Sequence, residues 1–512
     1  MALGRALAVA LIGVEGFLIT VEADVAMGLP SFNLVGLPDT SLVESRDRVR
    51  AAAANTGFPL PARRITVNLS PAGLPKTGTG FDLAVAVALM AAAEQLPAAS
   101  AAACVHLGEL GLDGQVRRVR GVLPAVLTAV EQGHPRVVVP EDAAPEARLV
   151  PGARVVPVAT LAEVVAYHRG EFTPREPAAR SPDPGRGGAQ RAWQTADLAD
   201  VLGQADARRA LEVAAAGGHH LLLVGPPGAG KTMLADRLPG LLPDLDDRQA
   251  LEVTAVHSVA GILDPEAGLV RRPPFEDPHH TSSVAAMVGG GAGLPRPGAA
   301  SRAHRGVLLL DEAAEFQPAV LEALRQPLES GELLIYRSKG VARFPARFQL
   351  VLTSNPCPCG RSTGKGLECT CTPSARRRYL SRLSGPLLDR VDLQLEVNAV
   401  SRAEMVAPGP PEPSAVVARR VAAARAVQRR RLRGTPWVCN GELSGSWLRS
   451  TGRLPATETR DLDRALDAGA LSARGYDRVL RIAWTLADLD GSARPGRDHV
   501  GQALLLRQRG IT

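Results

Sequence analysis

Apolar and polar positions change rhythm along the chain. Over residues 1–170, short β-like runs (FNLVGL, RITVNL, RVVVP, ARVVPV) alternate with Ala/Leu-rich helical stretches. That alternation predicts an α+β domain. Residues 171–192, including TPREPAARSPDPGRGGAQ, have no apolar period and read as a Pro/Gly/Arg-rich linker. From 193 to 400 the runs HLLLVG, GVLLLDE, FQLVLTSN and VDLQLEV are continuously apolar. Such runs suit strands of a parallel sheet buried on both faces. Over 401–512 the segments SAVVARRVAAARAVQRRRLRG, TETRDLDRALDAGA and YDRVLRIAWTLADLDG space apolar residues by three and four, predicting a helical domain. The overall class is α/β.

Composition narrows this modestly. At 512 residues, 45% hydrophobic and 22% charged, the chain reads as a globular protein of several domains. Its opening, MALGRALAVALIGVEGFLITVEAD, faintly imitates a signal peptide. Glu15, Glu22 and Asp24 follow too soon, and no small-residue cleavage site appears. The longest later apolar run, AVAVALMAAA (84–93), is short of the roughly 18 to 20 residues of a membrane span. A cytoplasmic protein without a membrane partner is expected. The net charge of +7 suits an anionic partner or plain solubility. Aromatic residues at 3% argue against a base-stacking platform. Only four of the 59 basic residues are lysine, at 76, 231, 339 and 365, so each lysine bears inspection.

LLLVGPPGAGKTML (221–234) places G-x-x-x-x-G-K-T between a strand and a helix. Gly225, Pro226, Pro227, Gly228, Ala229 and Gly230 form a loop whose N–H groups can face phosphate oxygens. Lys231 would reach the β- and γ-phosphates, and Thr232 would supply a hydroxyl to Mg²⁺. GVLLLDEAAEF (306–316) ends an apolar strand in two carboxylates. Asp311 can hold the Mg²⁺ water shell, and Glu312 can polarise an attacking water. FQLVLTSN (348–355) ends on Asn355, whose amide can orient that water. This series of strand ends resembles the AAA+ ATPases, with ATP and Mg²⁺ as the implied cofactors. The resemblance implies an arginine finger at Arg390 in GPLLDRVD (385–392), acting on a neighbour's site in a ring. It also implies a second sensor at Arg474, although Arg478 and Arg481 lie on nearby helix faces.

Eighty residues separate Lys231 from Asp311, and the excess, ILDPEAGLVRRPPFEDPHHTSSVAAMVGGGAGLPRPGAA, resembles an insertion in the second helix. GELLIYRSKGVARFPARF (331–348) reads as a β-hairpin with Lys339 at its tip and Arg337 and Arg343 on its arms. Both features resemble the magnesium-chelatase branch of AAA+, where such hairpins enter a central pore. There the three cations would grip DNA phosphates without reading bases; the alternative is a solvated turn. The stretches GLPSFNLVGLPDTSLVESRDRVRAA, RRITVNLSPAGLPKTGTGFDLAVA, DPHHTSS, AHRGVLLLDEAAEF, NPCPCG and YLSRLSGPLLDRVDL resemble the ComM/YifB family. That likeness covers nearly the whole chain. It implies a hexameric ring that translocates on single-stranded or branched DNA and drives branch migration in natural transformation. A chelatase-type motor acting on a protein partner, and a nucleotide-gated scaffold without catalysis, are the competing classes.

The first domain resembles the ribosomal-S5-like fold of Lon protease domains, including GELGLDGQVRRVRGVLP (108–124). Where such a protease carries its nucleophile this chain reads Gly78-Thr79-Gly80-Phe81-Asp82, and at the catalytic lysine Leu123-Pro124-Ala125. Proteolysis is therefore not expected. Nearby Lys76 could touch DNA or cap a turn. His279 and His280 suit pore lining or subunit packing better than metal binding. The arginines of ARRVAAARAVQRRRLRG (418–434) suit either a solvated lid helix or DNA contact. Finally, Cys357, Cys359, Cys369 and Cys371 form two C-x-C pairs nine residues apart. Four thiolates can hold a structural Zn²⁺ tetrahedrally; the alternative is a set of reduced thiols. Their place between Asn355 and Arg390 suggests a brace for the trans-acting arginine.

Overall fold

The computed structural model describes residues 3–37, 39–76, 78–173, 196–291, 295–337, 340–362, 368–405 and 412–508. Most of the expected linker lies outside the described residues. No helix among them is long and apolar enough to cross a membrane.

The opening segment is a long β-hairpin. Strands β1 (Gly4–Ile12) and β2 (Glu15–Ala26) pair antiparallel from Gly4↔Ala23 to Ile12↔Glu15 around a two-residue turn. Alternate residues Ile19, Val21 and Ala23 are fully buried, the period-2 signature that the apolar run of β1 conceals. They join β3 (Ser31–Val35), β4 (Arg64–Ser70), β5 (Val105–His106), β6 (Arg136–Pro140) and β7 (Arg154–Val158). The seven-stranded order is β3-β4-β2-β1-β5-β6-β7. Helix α1 (Thr40–Asn55) is capped by Asp39, whose carboxylate accepts from the Leu42 N–H at 2.9 Å. Helix α2 (Asp82–Ala92) is buried all round, as the apolar run from Leu83 to Ala92 requires. Lys76 is fully buried and donates to the Pro71 carbonyl, so it closes a turn and is not available to DNA.

The second unit is a parallel sheet of β8 (Leu221–Val224), β9 (Phe275–Glu276), β10 (Val307–Leu310), β13 (Gln349–Ser354) and β14 (Leu393–Glu396), ordered β9-β10-β13-β8-β14. Every residue of β8, β10 and β13 is buried. Each buried Leu or Val contributes about 1.5–3 kcal/mol by leaving water. Edge strand β9 lies inside the stretch that the sequence assigns to an insertion, so part of that stretch is core sheet. Helices α3 (Val122–Glu131) and α4 (Leu161–Arg169) belong to the first unit, α5 (Ala205–Gly217) precedes β8, α6 (Lys231–Leu241) follows it, and α7 (Asp247–Ala260) leads toward β9. A capping box of Asp246 and Gln249 starts α7, and Gly261 at φ 75° ends it. Helix α8 (Arg325–Ser330) precedes the hairpin of β11 (Glu332–Arg337) and β12 (Gly340–Pro345).

The two units share contacts. Glu146 accepts from the Leu123 N–H at 2.9 Å and from Ser258 Oγ of α7 at 2.5 Å. Ile12 and Val14 pack with Val259 against Ile335, Ala342 and Phe344 of the hairpin, and Gly13 bridges Arg343. The lid contains α9 (Ser414–Arg431), α10 (Ala456–Asp467), α11 (Ala473–Leu489) and α12 (Arg497–Gln508). Arginines of α9 staple it: Arg420 pairs with Glu212 of α5, and Arg431 pairs with Asp488 of α11.

Candidate active site

The carboxyl ends of β8, β10 and β13 bring the phosphate loop, the acid pair and Asn355 together. Gly228 and Gly230 sit at φ 78° and 85°, a left-handed turn that aims the loop into α6. Lys231 folds back over that turn: Nζ donates to Gly225 O at 2.8 Å, Pro226 O at 3.0 Å and Asn355 Oδ1 at 3.1 Å. Burial lowers its pKa, against the pull of Asp311 and Glu312. Thr232 Oγ1 donates to the Asp311 carboxylate, with oxygens at 3.0 and 3.1 Å. A hydroxyl and a carboxylate so placed are the donor set that Mg²⁺ prefers.

Two partners of the acid pair escape sequence reading. Thr353 donates its hydroxyl to Asp311 and accepts the Glu312 N–H at 3.0 Å, fixing both acids from the neighbouring strand. Its signal is a polar residue at the end of a wholly buried strand. Glu312 has φ 53°, uncommon outside glycine, and is exposed; the bend turns its side chain out of the strand line. His280 Nδ1 stands 3.7 Å from Glu312 Oε2, so this histidine faces the acid pair. Behind them, the Asp236 carboxyl is pushed up to about 6 by burial, with Asp277 and Asp311 adding to it.

The remaining candidates lie apart from this cluster. Arg390 is buried, its guanidinium held by Glu329 of α8 and the Pro386 carbonyl. Arg474 is exposed at the start of α11, while Arg478 is engaged by Asp392 at 2.5 Å. Arg343 faces Glu15 at 3.8 Å and Glu332 at 3.5 Å, bridging hairpin and first unit. Lys339 and the Arg337 side chain lie outside the described residues.

Cysteines 357, 359, 369 and 371 do converge, with all four sulfurs within 4.8 Å of one another. Cys357–Cys359 is 3.4 Å, and Cys357–Cys369 and Cys359–Cys369 are each 3.7 Å. A tetrahedron with Zn–S bonds of about 2.3 Å has edges of about 3.8 Å, so the donor set fits zinc. A Cβ on Gly360 would fall 2.4 Å from Pro227 Cδ. The loop therefore abuts the phosphate loop.

A parallel sheet carrying these strand-end residues, a hairpin before the sensor strand and a helical lid define a magnesium-chelatase-type AAA+ protein. The family described as magnesium chelatase, subunit ChlI, matches residues 197–405. Related patterns of that subunit match 21–143 and, for its C-terminal part, 411–507. An uncharacterized protein of Mycobacterium tuberculosis is 52% identical, covering 100% of this chain and 99% of its own. The uncharacterized protein YifB of Escherichia coli is 42% identical, covering 97% and 96%. The competence protein ComM of Haemophilus influenzae is 41% identical, covering 96% and 95%. Over 27% of the chain, Lon protease 2 of Bacillus subtilis is 32% identical, in keeping with a Lon-like first unit. The chain belongs to the ComM/YifB family, a membership that implies ATP and Mg²⁺.

Proposed function

We propose that the chain is an ATP-hydrolysing ring motor that translocates on DNA. The observation that carries the reading is the joined cluster of Lys231, Asn355, Thr232 and Asp311 at one edge of a parallel sheet. In this mechanism Lys231 and the loop N–H groups bind the β- and γ-phosphates. Thr232 and Asp311 would hold Mg²⁺, which would neutralise charge building on the phosphates. Glu312 orients and polarises the attacking water, with Asn355 aligning it beside the γ-phosphate. Arg390 of one protomer serves the site of the next, once Glu329 releases it, and Arg474 closes the lid over the phosphates. Such sharing requires a ring, for which we infer six protomers. Arg337 and Lys339 contact the DNA backbone at the hairpin, with Arg343 behind them. The four cysteines would hold a structural Zn²⁺, which would stiffen the loop against Pro227.

The printed name of the Haemophilus relative, a competence protein, supports a role in processing incoming DNA, such as branch migration during recombination. The test is the ATPase rate with and without single-stranded and branched DNA, beside a Glu312→Gln variant. DNA should raise the rate, and Glu312→Gln should lower it by about 10²–10⁴-fold while ATP still binds. A rate indifferent to DNA, in a chain that assembles into a ring, would overturn the translocase reading.

A further inference from the structure

A cavity of about 560 Å³ opens between core and lid. Its walls include Gly306 and Gln349 at the amino ends of β10 and β13, the edge of the sheet opposite Lys231. The volume suits a small ligand. Its charge is lopsided once each partner is assigned. Three carboxylates line it, and each is engaged: Asp244 pairs with Arg272 at 3.4 Å, Glu442 accepts the Val438 N–H at 2.7 Å, and Glu329 holds Arg390. Among the five arginines, Arg305 pairs with Glu252 and Arg425 donates to Ala215 O.

The other three guanidinium groups, those of Arg347, Arg429 and Arg481, have no hydrogen bond or ion pair among the described residues. Arg347 and Arg429 are exposed. Arg481 is different. It rises from α11 into the core–lid junction, its Nε is buried without a partner, and burial lowers its pKa. The two acids that act on it through space are engaged elsewhere: Asp392 by Arg478 and the His220 N–H, and Asp477 by Arg449. An ion removed from water without a partner costs several kcal/mol, so this position calls for an anion.

We propose that this cavity is a second ligand site, distinct from the phosphate loop, that takes a small molecule carrying a phosphoryl group. Arg481 donates to it from below, Arg429 and Arg347 close on it from the lid and core, and Trp437 forms an apolar wall. Guanidinium forks match phosphoryl oxygens in geometry and charge. Because Glu329 lines the same cavity, occupancy is felt by the residue that holds Arg390.

The test titrates pyrophosphate into the full-length chain carrying Lys231→Ala, at constant ionic strength, by calorimetry and Trp fluorescence. Saturable binding is expected in that background. Adding Arg481→Gln should weaken it by about tenfold or more, the loss of one charge-assisted contact. Arg429→Ala, an exposed position with no partner to lose, should weaken it as well without lowering the melting temperature. Absence of saturable binding in the millimolar range, or binding unchanged in both arginine variants, would overturn the proposal.

Discussion

The Asp392–Arg478 pair ties the lid to the segment that carries Arg390, and breaking it gives a measurable cost. Asp392 Oδ1 accepts from Arg478 Nη1 at 2.5 Å, Oδ2 accepts the His220 N–H at 3.2 Å, and His219 Nδ1 lies 3.5 Å away. The two side chains are 2% and 14% exposed. Burial alone would raise the Asp392 pKa, but Arg478 and then His219 hold it well below the ordinary value. Its contribution is therefore present at neutral pH and is lost as pH falls below the usual carboxylate range. In Asp392→Asn the amide can still accept from His220, but Arg478 loses its counter-charge. Removing one partner of a buried pair costs about 3–5 kcal/mol. Equilibrium urea unfolding followed by Trp fluorescence reads it, since Trp437, Trp447 and Trp484 all lie in the lid. Replacing both, as Asp392→Asn with Arg478→Met, should recover part of the loss, because the second change removes the stranded charge. A single-variant cost below about 1 kcal/mol, or strictly additive effects, would refute the coupling.

Other outcomes follow from single side chains. Asp236 has a folded pKa pushed above its ordinary value, so stability is present at low pH and falls as pH rises through about 6. Asp236→Asn should flatten that slope and gain about 1 kcal/mol at pH 7.5 in nucleotide-free protein, after discounting for its half-exposure; thermal melts at pH 4 and 7.5 decide it. Metal analysis of protein purified without chelators should find one zinc per chain, lost in a Cys357→Ser/Cys369→Ser variant; zinc-free wild type would remove the metal assignment. Gly360→Ala puts a methyl 2.4 Å from Pro227 at φ 74°, and should weaken nucleotide binding several-fold with little change in lid unfolding. Thr353→Ala removes the hydroxyl that holds both acids and should lower turnover by about tenfold while leaving ATP affinity nearly intact.

The parts of this molecule that the sequence discloses are those whose chemistry is local. A phosphate loop needs its glycines, lysine and threonine contiguous, so Lys231 and Thr232 could be placed from fourteen letters. Asp311, Glu312 and Asn355 each end an apolar run, and a parallel sheet must bring such ends to one edge. What stayed hidden depends on pairing across distance. The β1–β2 hairpin was masked because β1 is apolar at nearly every position, leaving periodicity to the partner strand. Strand β9 is only two residues long, below any periodic signal. Nothing in DPHHTSS indicates that the chain folds His280 back to 3.7 Å from Glu312. The cysteine loop shows the same division: four thiols in a short span predict their own convergence, while the contact of Gly360 with Pro227 joins positions 133 apart. That contact places the cysteine loop against the phosphate loop, a neighbour that no run of letters around either segment announces.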